Sequence, residues 1–328
     1  MNDKLEEITR VKIQGLDDHA IECYMKAGKA VGHALKLSYQ LARPGTRMVD
    51  LATILEQDIL DQGAEGFAFP ANISLDSYAA HYSPTIEDPI ILPDKGLLKI
   101  DLGGMVDGYV ADAAVTINLG GNDGIYADLI QAVKDALYAA MKITKPGVNV
   151  RKIGAVIELE ITKFEGIRPV SNLGGHRVSQ WDLHGAPFIP NVSNSQENYV
   201  LKEGDQIAFE PFATNGFGAI KNGKELTIFE VKNIHKKKNL PQIEKLRLQK
   251  FKKKFNTLPF SPRWIDFMPK DQIDAAIMRY YRQGILSGYH VFEERGHGLV
   301  AQHEHTLLIT VDGCIPTTWW EDFDYRDL

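Results

Sequence analysis

Along the chain, helical hydrophobic spacing alternates with stretches that lack it. Over 17–42, Ile21, Tyr24, Val31 and Leu35 recur at three- and four-residue intervals, with Gly28 on the same face. That spacing predicts an amphipathic helix, with Gly28 as a point of close packing. Pro44-Gly45 breaks the run. A second helix follows, with Val49, Ala52, Leu55 and Ile59 on one face and Gly63 as its stop. The same order returns about a hundred residues later. A helix around 124–144 carries Ile130, Val133, Leu137 and Met141; Pro146-Gly147 breaks it; another carries Ile153, Ile157, Ile161 and Phe164 and ends at Gly166.

After each helix pair comes a segment without helical period. The first, 66–72, is aromatic-rich and leads through Ala79-Ala80-His81-Tyr82-Ser83-Pro84. The second holds Asn172-Leu173-Gly174-Gly175-His176 and Asp182-Leu183-His184-Gly185. Both read as irregular. Strands follow over 100–112 and 204–210. Leu92 and Gly96 precede Ile100-Asp101 much as Leu201 and Gly204 precede Ile207 and Glu210. The pattern suggests two related helix-helix-strand halves facing each other, with acids from both meeting in the middle.

Residues 232–297 depart from the repeat. They open on Lys236-Lys237-Lys238 and Lys252-Lys253-Lys254, pass through Leu258-Pro259-Phe260-Ser261-Pro262-Arg263-Trp264, and form a helix over 271–284 with Ile273, Ala276, Ile277 and Tyr280 on one side. They are expected to be an inserted, mostly helical subdomain, with 1–231 and 298–328 as the main domain. The sheet resumes at 300–309, which is β-branched and apolar enough for one strand. The lysine runs fit a solvated helix face; the sharper reading is an electrostatic contact with RNA or an acidic surface.

The stretch 100–112 reads as a β-hairpin, since Asp107-Gly108 is a strong turn signal. A loop centred on Val106-Asp107 puts Asp101 opposite Asp112; one centred on Asp107-Gly108 makes them diagonal. Either register leaves both carboxylates on one face. Carboxylates that close are unfavourable unless a proton or a cation joins them. Solvated strand carboxylates are the plain alternative. Gathering the polar residues at strands and their ends gives Asp101, Asp112, His176, Glu210 and Glu304, an oxygen-rich set suited to a pair of Mn²⁺, Fe²⁺ or Co²⁺ ions. His81 and His184 are left to hold substrate or stabilise charge. In His303-Glu304-His305, a strand would turn Glu304 one way and both histidines the other, and spacing does not choose between them.

Composition narrows the class. With 328 residues, 44% hydrophobic and 24% charged, the chain is globular, and a net charge of −6 gives no global signal for nucleic acid. No apolar run approaches the roughly 18 residues a membrane span needs. The N-terminal Met1-Asn2-Asp3-Lys4-Leu5-Glu6-Glu7 lacks the apolar core of a signal peptide. Cys23 and Cys314 form no spaced framework. A cytoplasmic protein is expected.

Together these segments resemble the methionine aminopeptidases, in particular the type 2 form of archaea and eukaryotes. The resemblance is carried by Phe69-Pro70, Ala79-Ala80-His81-Tyr82, Asp101, Asp112, Gly175-His176, Leu183-His184-Gly185, Glu210-Pro211-Phe212-Ala213-Thr214 and Ala301-Gln302-x-Glu304-His305-Thr306. The segment between Glu210 and Glu304 looks like the type 2 insertion, and the absence of a long charged N-terminal extension looks archaeal. The resemblance implies an α+β pita-bread fold, a curved antiparallel sheet with pseudo-two-fold halves. It implies two divalent metal ions (Mn, Fe or Co, with Zn a further option) held by Asp101, Asp112, His176, Glu210 and Glu304. His303, where the family pattern has Phe or Tyr, would pack on the back of the strand.

The implied activity is removal of the initiator methionine from nascent proteins whose second residue is small, a metal-bridged hydroxide attacking the first peptide bond. Glu210 would shuttle the proton, His184 stabilise the oxyanion and His81 bind the scissile amide, with Phe69, Leu183 and Tyr289 forming the methionine slot. Nascent polypeptide N-termini are the expected partners. A transient ribosome contact through 236–254, a monomer, no membrane and no specific DNA complete the expectation. The rivals are an X-Pro dipeptidase on the same fold and a non-catalytic homologue, which should have lost ligands.

Overall fold

The structure, a computed structural model, describes residues 12–120, 124–232 and 240–319. In chain order it comprises α1 (Asp18–Leu41), α2 (Met48–Asp61), β1 (Gly66–Leu75), β2 (Tyr78–Ala80), β3 (Leu97–Val106), β4 (Tyr109–Asn118), α3 (Gly124–Ile143) and α4 (Val150–Ile161). The strands β5 (Arg168–Pro169), β6 (Gly174–Ser179), β7 (Asp182–Pro190), β8 (Gln206–Phe209), β9 (Phe212–Thr214) and β10 (Ile220–Val231) follow. Then come α5 (Gln242–Phe255), a 3₁₀ turn at Pro262–Trp264, α6 (Lys270–Arg282), β11 (Leu286–Glu294), β12 (Val300–Gln302), β13 (His305–Ile309) and β14 (Cys314–Pro316).

The helices form where the apolar spacing places them. Asp17 caps α1, its carboxylate accepting the Ala20 N–H at 2.7 Å, a contact worth about 1 kcal/mol. Ile21, Tyr24, Gly28, Val31 and Leu35 are its buried stripe. Gly28 is a close approach: a Cβ there would stand 2.2 Å from the Thr317 carbonyl oxygen, so only glycine lets the C-terminal segment cross α1. The first pair, α1 and α2, covers the β1-β3-β4 sheet over a core that includes Val31, Leu35, Leu55, Ile100 and Val115. The second pair, α3 and α4, covers a core that includes Val133, Leu137, Ile153, Ile207, Phe209 and Leu307.

The two halves repeat in their hydrogen bonds. Gly45 N–H donates to Leu92 O and Leu92 N–H to Thr46 O; Gly147 N–H donates to Leu201 O and Leu201 N–H to Val148 O. Met48 N–H donates to Ile90 O, as Val150 N–H does to Tyr199 O. Each helix-pair turn is thus tied to the strand region of its own half in the same way. Helices over antiparallel sheets in two equivalent halves make the α+β pita-bread arrangement.

Four segments differ from expectation. The 66–72 stretch is not irregular but part of β1, paired with β3 and broken by two register shifts. It is buried on both faces over most of its length, so it shows no two-residue alternation. The stretch around 172–185 is the β6–β7 hairpin, whose glycines and polar residues hide its strand character. The strand expected over 300–309 is split at His303-Glu304, because β12 pairs with β9 whereas β13 pairs with β8. The helical insertion expected over 232–297 ends sooner. Leu286–Glu294 is a strand that pairs with β10 on one side and β2 on the other. Between β10 and β11, α5 and α6 pack around Phe251, Phe260 and Tyr280.

Candidate active site

The β3–β4 hairpin turns through Asp107 and Gly108, at φ 48° and 77°. This is the two-residue turn in which both central residues have positive φ. Val106 pairs with Tyr109, so Asp112 lies opposite Gly103 and Asp101 opposite Ala114. Of the two registers open from sequence, this is the diagonal one, and both carboxylates share a face. Gly103 also pairs with Phe69 of β1. A Cβ at Gly103 would stand 2.3 Å from the Phe69 ring, so the glycine makes room for that ring over the sheet.

The second half meets this hairpin along a seam of threonines. Thr306 Oγ1 accepts the Asp112 N–H at 2.9 Å and donates to the Asp112 carbonyl at 2.8 Å. Thr116 Oγ1 accepts the Gln302 N–H and donates to the Gln302 carbonyl, at 2.8 and 2.7 Å. Between them, Glu304 N–H donates to Ala114 O at 2.9 Å. The seam turns Glu304 toward the centre: Asp112, His176 and Glu304 each offer a ligand atom, all within 4.8 Å of one another. His303 faces away, against Tyr138 of α3 at 6.3 Å and His305 at 5.8 Å.

Gln302 sits among the acids. Its amide nitrogen lies 3.1 Å from Glu304, 3.2 Å from Glu210 and 3.5 Å from Asp101. His176 Nε2 lies 3.5 Å from Asp112 and 3.7 Å from Glu210. Its Nδ1 faces the Arg177 carbonyl at 3.4 Å, which accepts and so leaves the Nε2 lone pair toward the acids. Burial holds His176 down to about 4, hence neutral. Burial pushes the Asp101 carboxyl up to about 7. Burial first, then repulsion from neighbouring carboxylates, pushes Asp112, Glu210 and Glu304 well above the ordinary range.

One oxygen each of Asp101, Asp112 and Glu304 is buried with no hydrogen-bond partner among the described residues. Four carboxylates, three of them with an unspent oxygen, and one neutral imidazole form a donor set that fits divalent cations of the Mn, Fe or Co type.

The centre opens into a cavity of about 670 Å³, lined by Asp101, Asp112, His176 and Glu210 together with His81, His184, Phe69, Leu183 and Tyr289. Glu304 is buried beneath it. His81 has φ 67°, an uncommon backbone for a non-glycine residue. The β10 hydroxyl of Thr227 holds it there, donating to the His81 carbonyl and accepting the Ser83 N–H, both at 3.1 Å. His81 Nδ1 donates to the His290 carbonyl at 3.2 Å, and burial lowers its pKa to about 4. The ring is therefore neutral, with a lone pair on Nε2. His184 lies 4.6 Å from His176 and 6.4 Å from His81, ring to ring. Tyr289 is anchored by its hydroxyl, which donates to Glu230 at 2.9 Å.

Sequence reasoning assigned no role to Gln302, Thr116 or Thr306, nor to the cavity-lining Asn72, Phe188, Phe212, Ile228, Pro259 and Phe292. Gln302 and Thr306 share strand parity with Glu304, which is the signal that points to them. Phe292 and Ile228 come from β11 and β10, strands that sequence reasoning did not identify.

The profile of metallopeptidase family M24 matches residues 22–310. A methionine aminopeptidase of Pyrococcus horikoshii is 38% identical over 301 residues, covering 91% of this chain and 99% of the relative. Among solved structures, a thermophilic Arx1 superposes with a TM-score of 0.80 at 18% identity, over 94% of this chain and 93% of that one. A methionine aminopeptidase of Thermotoga maritima gives a TM-score of 0.68 at 20% identity, over 94% and 100%.

Proposed function

The chain belongs to metallopeptidase family M24, and on that premise we infer that it is a metal-dependent methionine aminopeptidase, removing the first methionine from polypeptides whose second residue is small. What carries the reading is one cavity in which acids from both halves converge beside an apolar slot. The helices inserted between β10 and β11 favour the type 2 form. Asp101, Asp112, His176, Glu210 and Glu304 would hold two divalent ions. When bound, they supply an acidified water and polarise the scissile carbonyl.

The protein's own groups do the rest. The free α-amine of the substrate would bind at this metal-holding set of acids, which accounts for a demand for an unblocked N-terminus. Phe69, Leu183 and Tyr289 take the methionine side chain. His81 Nε2, held as an acceptor by the His290 carbonyl, receives the scissile N–H or that of the next residue. Glu210 moves a proton from the attacking water to the leaving amine. His184 donates to the oxygen that gains charge.

The enzyme works in the cytoplasm on nascent N-termini. No described helix is long and apolar enough to cross a membrane. Lys245, Lys250, Lys252 and Lys253 are exposed on α5, as a ribosome contact there requires. Lys236, Lys237 and Lys238 lie outside the described residues.

The test is release of the first residue from Met-Ala-Ser by metal-stripped protein and by protein given Mn²⁺, Fe²⁺ or Co²⁺, with an X-Pro dipeptide alongside. Metal-dependent release of Met with the dipeptide intact is expected. Cleavage of the dipeptide alone would move the chain to the prolidase branch.

A further inference from the structure

Outside the ligand set, Glu56 of α2 is a buried carboxylate with every acceptor position of both oxygens in use. Its Oε1 accepts from Arg263 at 2.6 Å and from the Ala71 backbone N–H at 3.1 Å. Its Oε2 accepts from Arg263 at 2.8 Å and from the Trp264 indole at 3.0 Å. Arg263 Nε donates to the Pro84 carbonyl at 2.8 Å. Arg263 is as buried as Glu56, and Trp264 also stacks on Phe67 of β1 at 4.7 Å.

The partners come from three pieces of the cavity wall. Ala71 lies where the β1 ladder breaks, between the pairs Phe69–Gly103 and Asn72–Asp101. Its N–H is satisfied by Glu56 instead of by a strand, and the bulge on either side sets Phe69 and Asn72 into the cavity. Arg263 and Trp264 form the 3₁₀ turn just after Pro259, which lines the cavity from the insertion. Pro84 closes the short segment that begins at His81.

We infer that Glu56 and Arg263 are positioning residues that set the width of the methionine slot, by fixing its Phe69 wall together with the neighbouring cavity residues Pro259 and His81 to one buried point. The inference rests on the methionine-aminopeptidase reading. Only a planar guanidinium serves both carboxylate oxygens and the Pro84 carbonyl at once; a lysine keeps the charge and loses the fork.

The experiment is steady-state release of the first residue from Met-Ala-Ser and Leu-Ala-Ser by Mn²⁺-loaded wild type, Arg263→Lys and Trp264→Phe. KM for Met-Ala-Ser is expected to rise about ten-fold in Arg263→Lys and about three-fold in Trp264→Phe, with kcat within about two-fold. The preference for Met over Leu narrows in step, and Mn²⁺ affinity by calorimetry is unchanged. Trp264→Phe removes one donor and leaves the ion pair, so it carries the test if Arg263→Lys does not fold. Unchanged KM and preference in folded variants of an active wild type overturn the positioning role alone. Loss of kcat together with Mn²⁺ affinity, preference intact, also overturns it, because that marks a merely structural pair. A wild type that releases no methionine overturns the underlying reading and the slot with it.

Discussion

At the scale of single residues, Gln302 places one amide nitrogen within reach of Glu304, Glu210 and Asp101. It orients the acids without adding charge. Gln302→Leu keeps a similar volume and removes that donor, so Mn²⁺ affinity should fall about 10–100-fold, measurable by calorimetry. Turnover should return at high Mn²⁺. Asp101→Ala or Glu304→Ala should abolish metal-dependent turnover outright. His303→Phe, whose ring lies against Tyr138 and away from the centre, should leave turnover within about two-fold. A well-folded but inactive His303→Phe would sink that placement. The shared face of Asp101 and Asp112 is legible from the turn, since strand parity follows from the loop length. Spacing does not say whether Glu304 or its two histidines face the centre, because parity separates them without fixing the inward side; only the family resemblance pointed to Glu304.

At the scale of elements, the threonine seam joins β4 to the β12–β13 segment. One hydroxyl serves both backbone groups of Asp112, and another serves both of Gln302. Thr306→Val preserves shape and leaves a buried N–H and C=O at Asp112 without partners. The cost should be about 1–3 kcal/mol for each unsatisfied group, read as a lower denaturant midpoint. Mn²⁺ affinity should fall as well, because Asp112 loses its anchor; unchanged affinity would separate the seam from the site. The helices were legible because each buries one stripe. By contrast, β1 and the β6–β7 hairpin lacked an alternating pattern, the first because both its faces are covered, the second because it is rich in glycine and polar residues.

At the scale of the whole molecule, the buried charges make stability depend on pH and metal. Without metal, burial raises Asp101 to about 7 and raises Asp112, Glu210 and Glu304 well above the ordinary carboxylate range of about 4 in the unfolded chain. The folded state therefore binds more protons than the unfolded state up to and beyond neutrality. Below about pH 6.5 the buried His81, His176 and His305, each lowered to about 4, act in the opposite sense. Above it the histidines fade, and buried Lys99, lowered to about 7 by burial, offsets about one of the carboxylates. Stability of the metal-free protein should therefore fall as pH rises from 6.5 to 8, by about 1.4 kcal/mol per pH unit for each excess proton. Mn²⁺ replaces those protons, so it should raise Tm more at pH 8 than at pH 6.5. An equal Mn²⁺ effect at both would contradict the assignment of these acids as its ligands.

The order of helices, the repeat of two halves and the hairpin carrying Asp101 and Asp112 follow from sequence alone. The helices rest on short-range periodicity, the hairpin on its Asp-Gly turn and the repeat on matching breaks about a hundred residues apart, all of them signals that report local conformation. The inward turn of Glu304, the reach of Gln302 and the convergence of Ala71, Pro84 and Arg263 around Glu56 were decided only by tertiary structure. These groups lie far apart in the chain. What brings them together is the need to satisfy buried backbone and carboxylate groups where the two halves and the insertion meet, a constraint that no local pattern of residues records.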